Sequence, residues 1–231
     1  MGLNNIVFPF VVTESSKHIL RTYPDSNQLK DVFTKAKESE RYGIIRLWLT
    51  EGIPFAFREN PLLYEEIRTF IASGIKVHPK EVTLVGSARI GYSLKPKVWG
   101  RIFTEKSDMD FTVISNELFT RLVKNFQKWA GDLESKRISP RSPDQLQSWI
   151  ESIMTVNMNI SKGYIYTKNL FPHNNYPTVV QSYHTMGKLK KILSVTPGSP
   201  EISDVSIRVY SSWYNCIRQI QINLKSSLSL W

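Results

Sequence analysis

Apolar side chains recur at helical spacing early in the chain. Over residues 26–51, Leu29, Val32 and Phe33 form one stripe, and Ile44, Ile45, Trp48 and Leu49 continue it after a polar break near Ser39. Gly52-Ile53-Pro54 ends this helical stretch, because glycine tolerates a cap and proline cannot continue a helix. Asn60-Pro61 opens the next helix. Asn60 can cap, Pro61 fits the first helical position, and Glu65 and Glu66 lie near the positive end of the helix dipole. Leu63, Ile67, Phe70 and Ile71 give its buried stripe, and Gly74 is its expected stop.

The pattern then changes period. Val82-Thr83-Leu84-Val85 reads as a short apolar strand running into Gly86-Ser87, and a polar loop leads to a second strand over 109–114. Around that strand Asp108 and Asp110 alternate with Met109 and Phe111, which puts both carboxylates on one face. Residues 116–129 return to helical spacing through Leu118, Phe119, Leu122, Val123, Phe126 and Trp129. Residues 131–144 read as a polar, proline-containing loop, and 145–154 as a helix. Residues 163–187 mix glycine, proline, asparagine and aromatics without a period. Residues 206–230 read as one long amphipathic helix through Ile207, Tyr210, Trp213, Ile217, Ile220 and Leu224. The elements group as an N-terminal helical segment (1–79), a mixed core (80–200) and a C-terminal helix (201–231).

Composition narrows the class. The chain has 231 residues, 41% hydrophobic and 12% aromatic, which supports a packed core and argues against global disorder. No apolar run reaches membrane-spanning length. Met1-Gly2-Leu3-Asn4-Asn5-Ile6 lacks the layout of a secretion signal, and Ile6 makes Gly2 a poor myristoylation site. Cys216 is the only cysteine, so neither an internal disulfide nor a cysteine-rich zinc site can form. These features lead to an expectation of cytoplasmic location. The net charge of +10 favours polyanionic partners such as RNA, DNA or nucleoside triphosphates, although a basic solvated surface gives the same sum.

One stretch carries recognisable chemistry. A strand ending in Gly86-Ser87 and turning into a helix offers free backbone N–H groups to a phosphate. Gly86 allows close backbone approach, Ser87 adds a hydroxyl, and Arg89 on the first turn can either reach a phosphate or pair with an acid such as Asp108. Asp108 and Asp110 repel each other unless a cation lies between them. Mg²⁺ takes such carboxylates together with substrate phosphates, and paired metals can hold both the attacking and leaving oxygens of a phosphoryl displacement.

Strand, Gly86-Ser87, helix, then Asp108-x-Asp110 on the next strand resembles the polymerase-β-like nucleotidyltransferase superfamily, in particular its small bacterial members. The resemblance spans about 35 residues. It implies an α/β (α+β) fold: a small mixed β-sheet flanked by helices, with helical segments at both ends. It also implies that Gly86 and Ser87 hold a triphosphate and that Asp108 and Asp110 ligate Mg²⁺ and carry catalysis. The implied activity is transfer of a nucleoside monophosphate from an NTP to a nucleic-acid or protein hydroxyl. Many small bacterial relatives belong to toxin–antitoxin or phage-defence gene sets, and the same context is expected here.

Two departures from that pattern open other readings. The loop between the motifs is long and basic, with Lys95, Lys97, Arg101, Lys106 and Trp99. It reads either as a flap gripping nucleic acid, RNA in preference to DNA, with Trp99 stacked on a base, or as a solvated hairpin. Catalysing relatives also add a third acid on a later strand. Asp204 fits that pattern best but would equally cap the C-terminal helix, and Glu151 sits in a helix. An alternative is therefore a catalytically silent module that binds nucleic acid or a protein partner, and a third is a structural subunit. His18, His78, His173 and His184 show no metal-ligand spacing, and Lys188-Leu189-Lys190-Lys191 is a basic cluster suited either to phosphate or to solvent.

Overall fold

In a computed structural model, which describes residues 23–229, the chain folds around a four-stranded mixed sheet. The readings of residues 1–6 and of His18 lie outside the described residues. The strands are β1 (Val82–Val85), β2 (Asp108–Ile114), β3 (Tyr164–Tyr166) and β4 (Asp204–Tyr210), in spatial order β1-β2-β4-β3. β1 runs antiparallel to β2 with Val85 opposite Asp110. β4 runs parallel to β2 with Asp108 opposite Asp204 and Asp110 opposite Ser206, and β3 closes the far edge antiparallel to β4. With flanking helices this is the expected α/β (α+β) architecture.

The helices begin where short-range capping permits. α1 (Ser26–Lys35) starts behind Asp25, whose carboxylate accepts from the Asn27 and Gln28 amides. α2 (Glu38–Ile44) follows the polar break and continues as a π-helical segment over Ile45–Thr50. α3 (Pro61–Ile75) is capped by Asn60, which accepts from the Leu63 amide. α3 does not stop at Gly74; it ends at Ile75, with Lys76 left-handed. Gly74 has a different task. A Cβ there would come within 2.3 Å of Thr185 Oγ1, so the missing side chain lets α3 pack closely on α7 (Pro177–Leu193).

Between β1 and β2 lies only one turn of helix, α4 (Ser87–Ile90). α5 (Asn116–Glu134) runs past Trp129 into the stretch read as loop, because buried Asp132 continues the turn and accepts the Tyr176 hydroxyl at 3.0 Å. α6 (Pro143–Ser161) is capped by Ser142, starts close to the expected 145 and runs well past 154. Residues 163–187, which show no period, contain the three-residue β3 and the start of α7.

The largest correction concerns residues 206–230. They are not one helix: β4 ends at Tyr210, and α8 (Trp213–Ser227) begins after Ser212, whose hydroxyl accepts from the Asn215 amide. Ile207 and Tyr210 satisfy a helical spacing, but Val205, Ile207 and Val209 also alternate strictly, and this alternation is what β4 uses.

One face of the sheet is wholly apolar. Val82, Leu84, Met109, Phe111, Val113, Ile165, Val205, Ile207 and Val209 are buried on it under α3, α5 and α7. The opposite face carries Thr83, Asp110, Thr112, Ser206 and Arg208 at its centre. On that side α8 joins α1, α2 and the π-helical segment in a separate cluster through Ile217 and Leu224. Among the described residues no helix is long and apolar enough to cross a membrane.

Candidate functional site

Polar side chains at the middle of a sheet, under a second layer, are costly unless bonded or open to solvent. Here they floor a cleft of about 400 Å³ between the sheet, the 91–107 hairpin and α8. Its outer half is lined by Gly86, Ser87, Lys95, Arg101, Lys106, Asp108 and Asp110. Its inner half is lined by Arg208, Tyr210, Cys216, Ile220 and Leu224.

The turn after β1 faces the aspartates. A Cβ placed on Gly86 would stand 3.8 Å from Asp110 Oδ2, an ordinary contact. Close approach is therefore not what requires glycine here. The requirement is conformational, because φ 71° and ψ −150° lie in a region open only to glycine. The first intrahelical bond of the turn is from the Arg89 amide to the Gly86 carbonyl, so the Ser87 and Ala88 amides stand ahead of the ladder.

Both carboxylates are fixed from the β4 side. Ser203 Oγ donates to Asp108 Oδ1 at 2.6 Å, and Ser206 Oγ donates to Asp110 Oδ1. Among the described residues the second oxygen of each carboxylate takes no side-chain hydrogen bond. Asp108 is exposed and Asp110 half-buried, with Met109 and Phe111 turned into the core. This all-oxygen donor set, two carboxylates with two hydroxyls, suits a hard cation such as Mg²⁺.

Where a neighbouring strand could offer a third carboxylate opposite Asp110, this chain has Ser206. Asp204 opens β4 beside Asp108 and does not cap α8. It is held by Lys168 and Lys190, the latter at 3.2 Å. Burial opposes its charged form, but the hydrogen bonds from Lys168, the Val205 amide and Lys190 outweigh burial and hold its pKa below the ordinary carboxylate value. Among the described residues no three His, Cys, Asp or Glu side chains converge as a metal-ligand group. Glu151 lies on the exposed side of α6, bonded to Gln147.

Arg89 turns away from the cleft. It is 1% exposed and donates to the Ile53 carbonyl, neither reaching a phosphate position nor pairing with Asp108. Burial pulls its pKa down, partly offset by Tyr23, Tyr64 and Glu51. The basic loop forms a hairpin with a bridge between Tyr92 and Ile102. Its Lys95 and Arg101 line the cleft, whereas Lys97 sits outside it on the turn Pro96–Val98. Trp99 packs against the α1–α2 cluster, and its indole nitrogen is buried, so it is not presented for stacking on a base. His78 accepts from the Lys80 amide and His173 from the Asn175 amide, both local turn bonds.

Arg208 is the residue that sequence reading misplaced. The C-terminal helix to which it is assigned could by resemblance support the cleft, but Arg208 is on β4, one pleat beyond Ser206, and opens into the cleft. Its guanidinium carbon sits 5.5 Å from the Tyr164 ring centre and 5.3 Å from that of Tyr166. Burial works against its charge, but Tyr210, Asp110 and Tyr164 together raise its pKa. Cys216, on the cleft's inner wall, has its thiol pushed up to about 12 by burial, with Arg208 opposing the shift. The signal that could have found Arg208 is the alternation Asp204, Ser206, Arg208 against Val205, Ile207, Val209.

Comparison of the chain with protein-family models, with curated proteins and with solved structures finds no match. The functional reading therefore stands on residues 82–115 and the β4 side chains beside them.

Proposed function

We propose that the cleft binds a Mg²⁺–nucleoside triphosphate and transfers its nucleotidyl group to a hydroxyl of a nucleic acid or protein, the hydroxyl losing its proton as pyrophosphate leaves. The supporting observation is the approach of Gly86 to Asp110 Oδ2, which sets an amide turn for phosphate beside two carboxylates for metal in one cleft. Asp108 and Asp110 would hold the metal, and Mg²⁺, when bound, would offset charge on the transferring phosphate. The chain's own contribution is positional. Ser203 and Ser206 aim the carboxylates, the Ser87 and Ala88 amides face phosphate oxygens, and Lys95, Arg101 and Lys106 attract an anionic acceptor to the mouth, favouring RNA. A role in bacterial defence or a toxin–antitoxin pair is part of the same reading, by the resemblance alone.

A second reading has its own support. Ser206 stands where a third carboxylate would complete the metal site, and Asp204 is committed to two lysines. Both favour a catalytically silent module that binds nucleic acid or a protein partner.

One set of assays separates the two. The protein is incubated with each labelled NTP, Mg²⁺ and total RNA. Transfer is expected, and Asp110→Ala should reduce it by at least the roughly 10–100-fold caused by losing a mere hydrogen-bond partner of a metal ligand. Absence of transfer under every condition, with nucleic-acid binding intact in Asp108→Ala and Asp110→Ala, supports the silent module. Transfer that appears only in Ser206→Asp supports it too.

A further inference from the structure

We propose that Arg208 is a second anion-binding group of the cleft, which takes an oxygen of the bound polyphosphate on the inner side of Asp110. The choice of ligand rests on the nucleotide reading above, but the argument for an anion does not. Among the described residues Arg208 makes no ion pair, its Nε is buried without a hydrogen-bond partner, and its side chain lines the cleft. Tyr210 and the charge of Asp110 favour its charged form, but no carboxylate pairs with it directly, and a partly desolvated guanidinium is costly to keep without one. It is also an effective receptor, because its fork matches phosphate oxygens and charge-assisted bonds are the strong ones.

The surroundings hold it ready. Arg208 is stacked near Tyr164 and Tyr166 on the neighbouring strand, so the planar group has little freedom to lose on binding. The charged and titratable groups around it are Asp110, Tyr164, Tyr166, Tyr210 and Cys216. Of these only Asp110 is a carboxylate, and it stands on the paired strand β2 opposite Ser206, whereas Arg208 faces Thr112. Along β4 the step from Ser206 to Arg208 is about 7 Å. The carboxylate pair thus shares the cleft with two basic groupings, the exposed Lys95, Arg101 and Lys106 and the half-buried Arg208. A polyphosphate is a chain of anionic groups suited to span them.

The test needs no turnover. Binding of inorganic tripolyphosphate in EDTA is measured by calorimetry on the full chain, with thermal unfolding of each variant alongside. Wild type is expected to bind. Arg208→Met, which keeps the apolar stem against the tyrosines, should weaken binding about tenfold or more. Arg208→Lys keeps the charge but loses the fork, and should fall between the two. Wild type that fails to bind, or Arg208→Met that binds as wild type does, overturns the proposal. If Arg208→Met unfolds, Arg208→Lys decides: affinity equal to wild type counts against the guanidinium. Failure of nucleotidyl transfer with tripolyphosphate binding intact would remove the catalytic reading and leave this one standing.

Discussion

Gly86 shows how one residue can serve a site for a reason other than the obvious one. Its absent side chain does not make room, since a Cβ would meet Asp110 Oδ2 only at van der Waals distance. Its backbone, however, is held where other residues are strained by about 1–3 kcal/mol. Gly86→Ala is therefore expected to lower unfolding free energy by about that amount, read from a urea titration. It should also rotate the Ser87 amide away from the cleft. A variant as stable as wild type would show that the turn relaxes freely. Arg89 and Arg208 make the complementary point. Both are basic residues close to a motif strand, yet only the one whose side chain opens into the cleft can meet a ligand.

At the scale of elements, β4 decides the site. It supplies Ser206 to Asp110 and, with the turn before it, Ser203 to Asp108. Its first residue, Asp204, ties β4 to α7 through Lys190 and to the turn after β3 through Lys168. The pH dependence of that tie has a defined sign. The folded pKa of Asp204 lies below its unfolded value near about 3.9, so its contribution is present above that pH and is lost as pH falls through the folded value. Lys168 is also drawn down by burial, but Asp204 and Tyr166 outweigh this and raise it. Its contribution is present below about 10.4 and lost as pH rises through the folded value. The gap in melting temperature between wild type and Asp204→Asn should therefore be widest near neutrality and narrow as pH is lowered below about 3.9. A gap unchanged across that range would show that the lysine contacts contribute nothing. Element identity was legible wherever capping and period agreed, as at Asn60 for α3 and at the strand before Gly86. It failed at β4, because Ile207 and Tyr210 fit a helical spacing while Val205, Ile207 and Val209 fit alternation, and only pairing with β2 removes the ambiguity.

At the scale of the whole molecule, three basic residues gather at the cleft mouth. Lys95, Arg101 and Lys106 are exposed there and make no ion pair with any described residue, so they remain free to neutralise phosphates. Replacing all three with alanine should reduce the salt dependence of single-stranded RNA binding by about 2 in log–log slope, measured by titration at several salt concentrations. An unchanged slope would place the RNA path elsewhere on this +10 chain. The sequence alone determined the features that depend on neighbours a few residues apart: the mixed class, the strand entering Gly86-Ser87, both aspartates on one face, and most helix starts. Capping and alternation are short-range physics, and they act before the chain is folded. Only the tertiary structure decided that Ser206 lies opposite Asp110, 96 residues away, that Asp204 is taken by two lysines, that Arg89 faces inward, and that Arg208 opens into the cleft. Those outcomes follow from strand order and layer packing, in which burial of the apolar face fixes which polar residues are left on the other side.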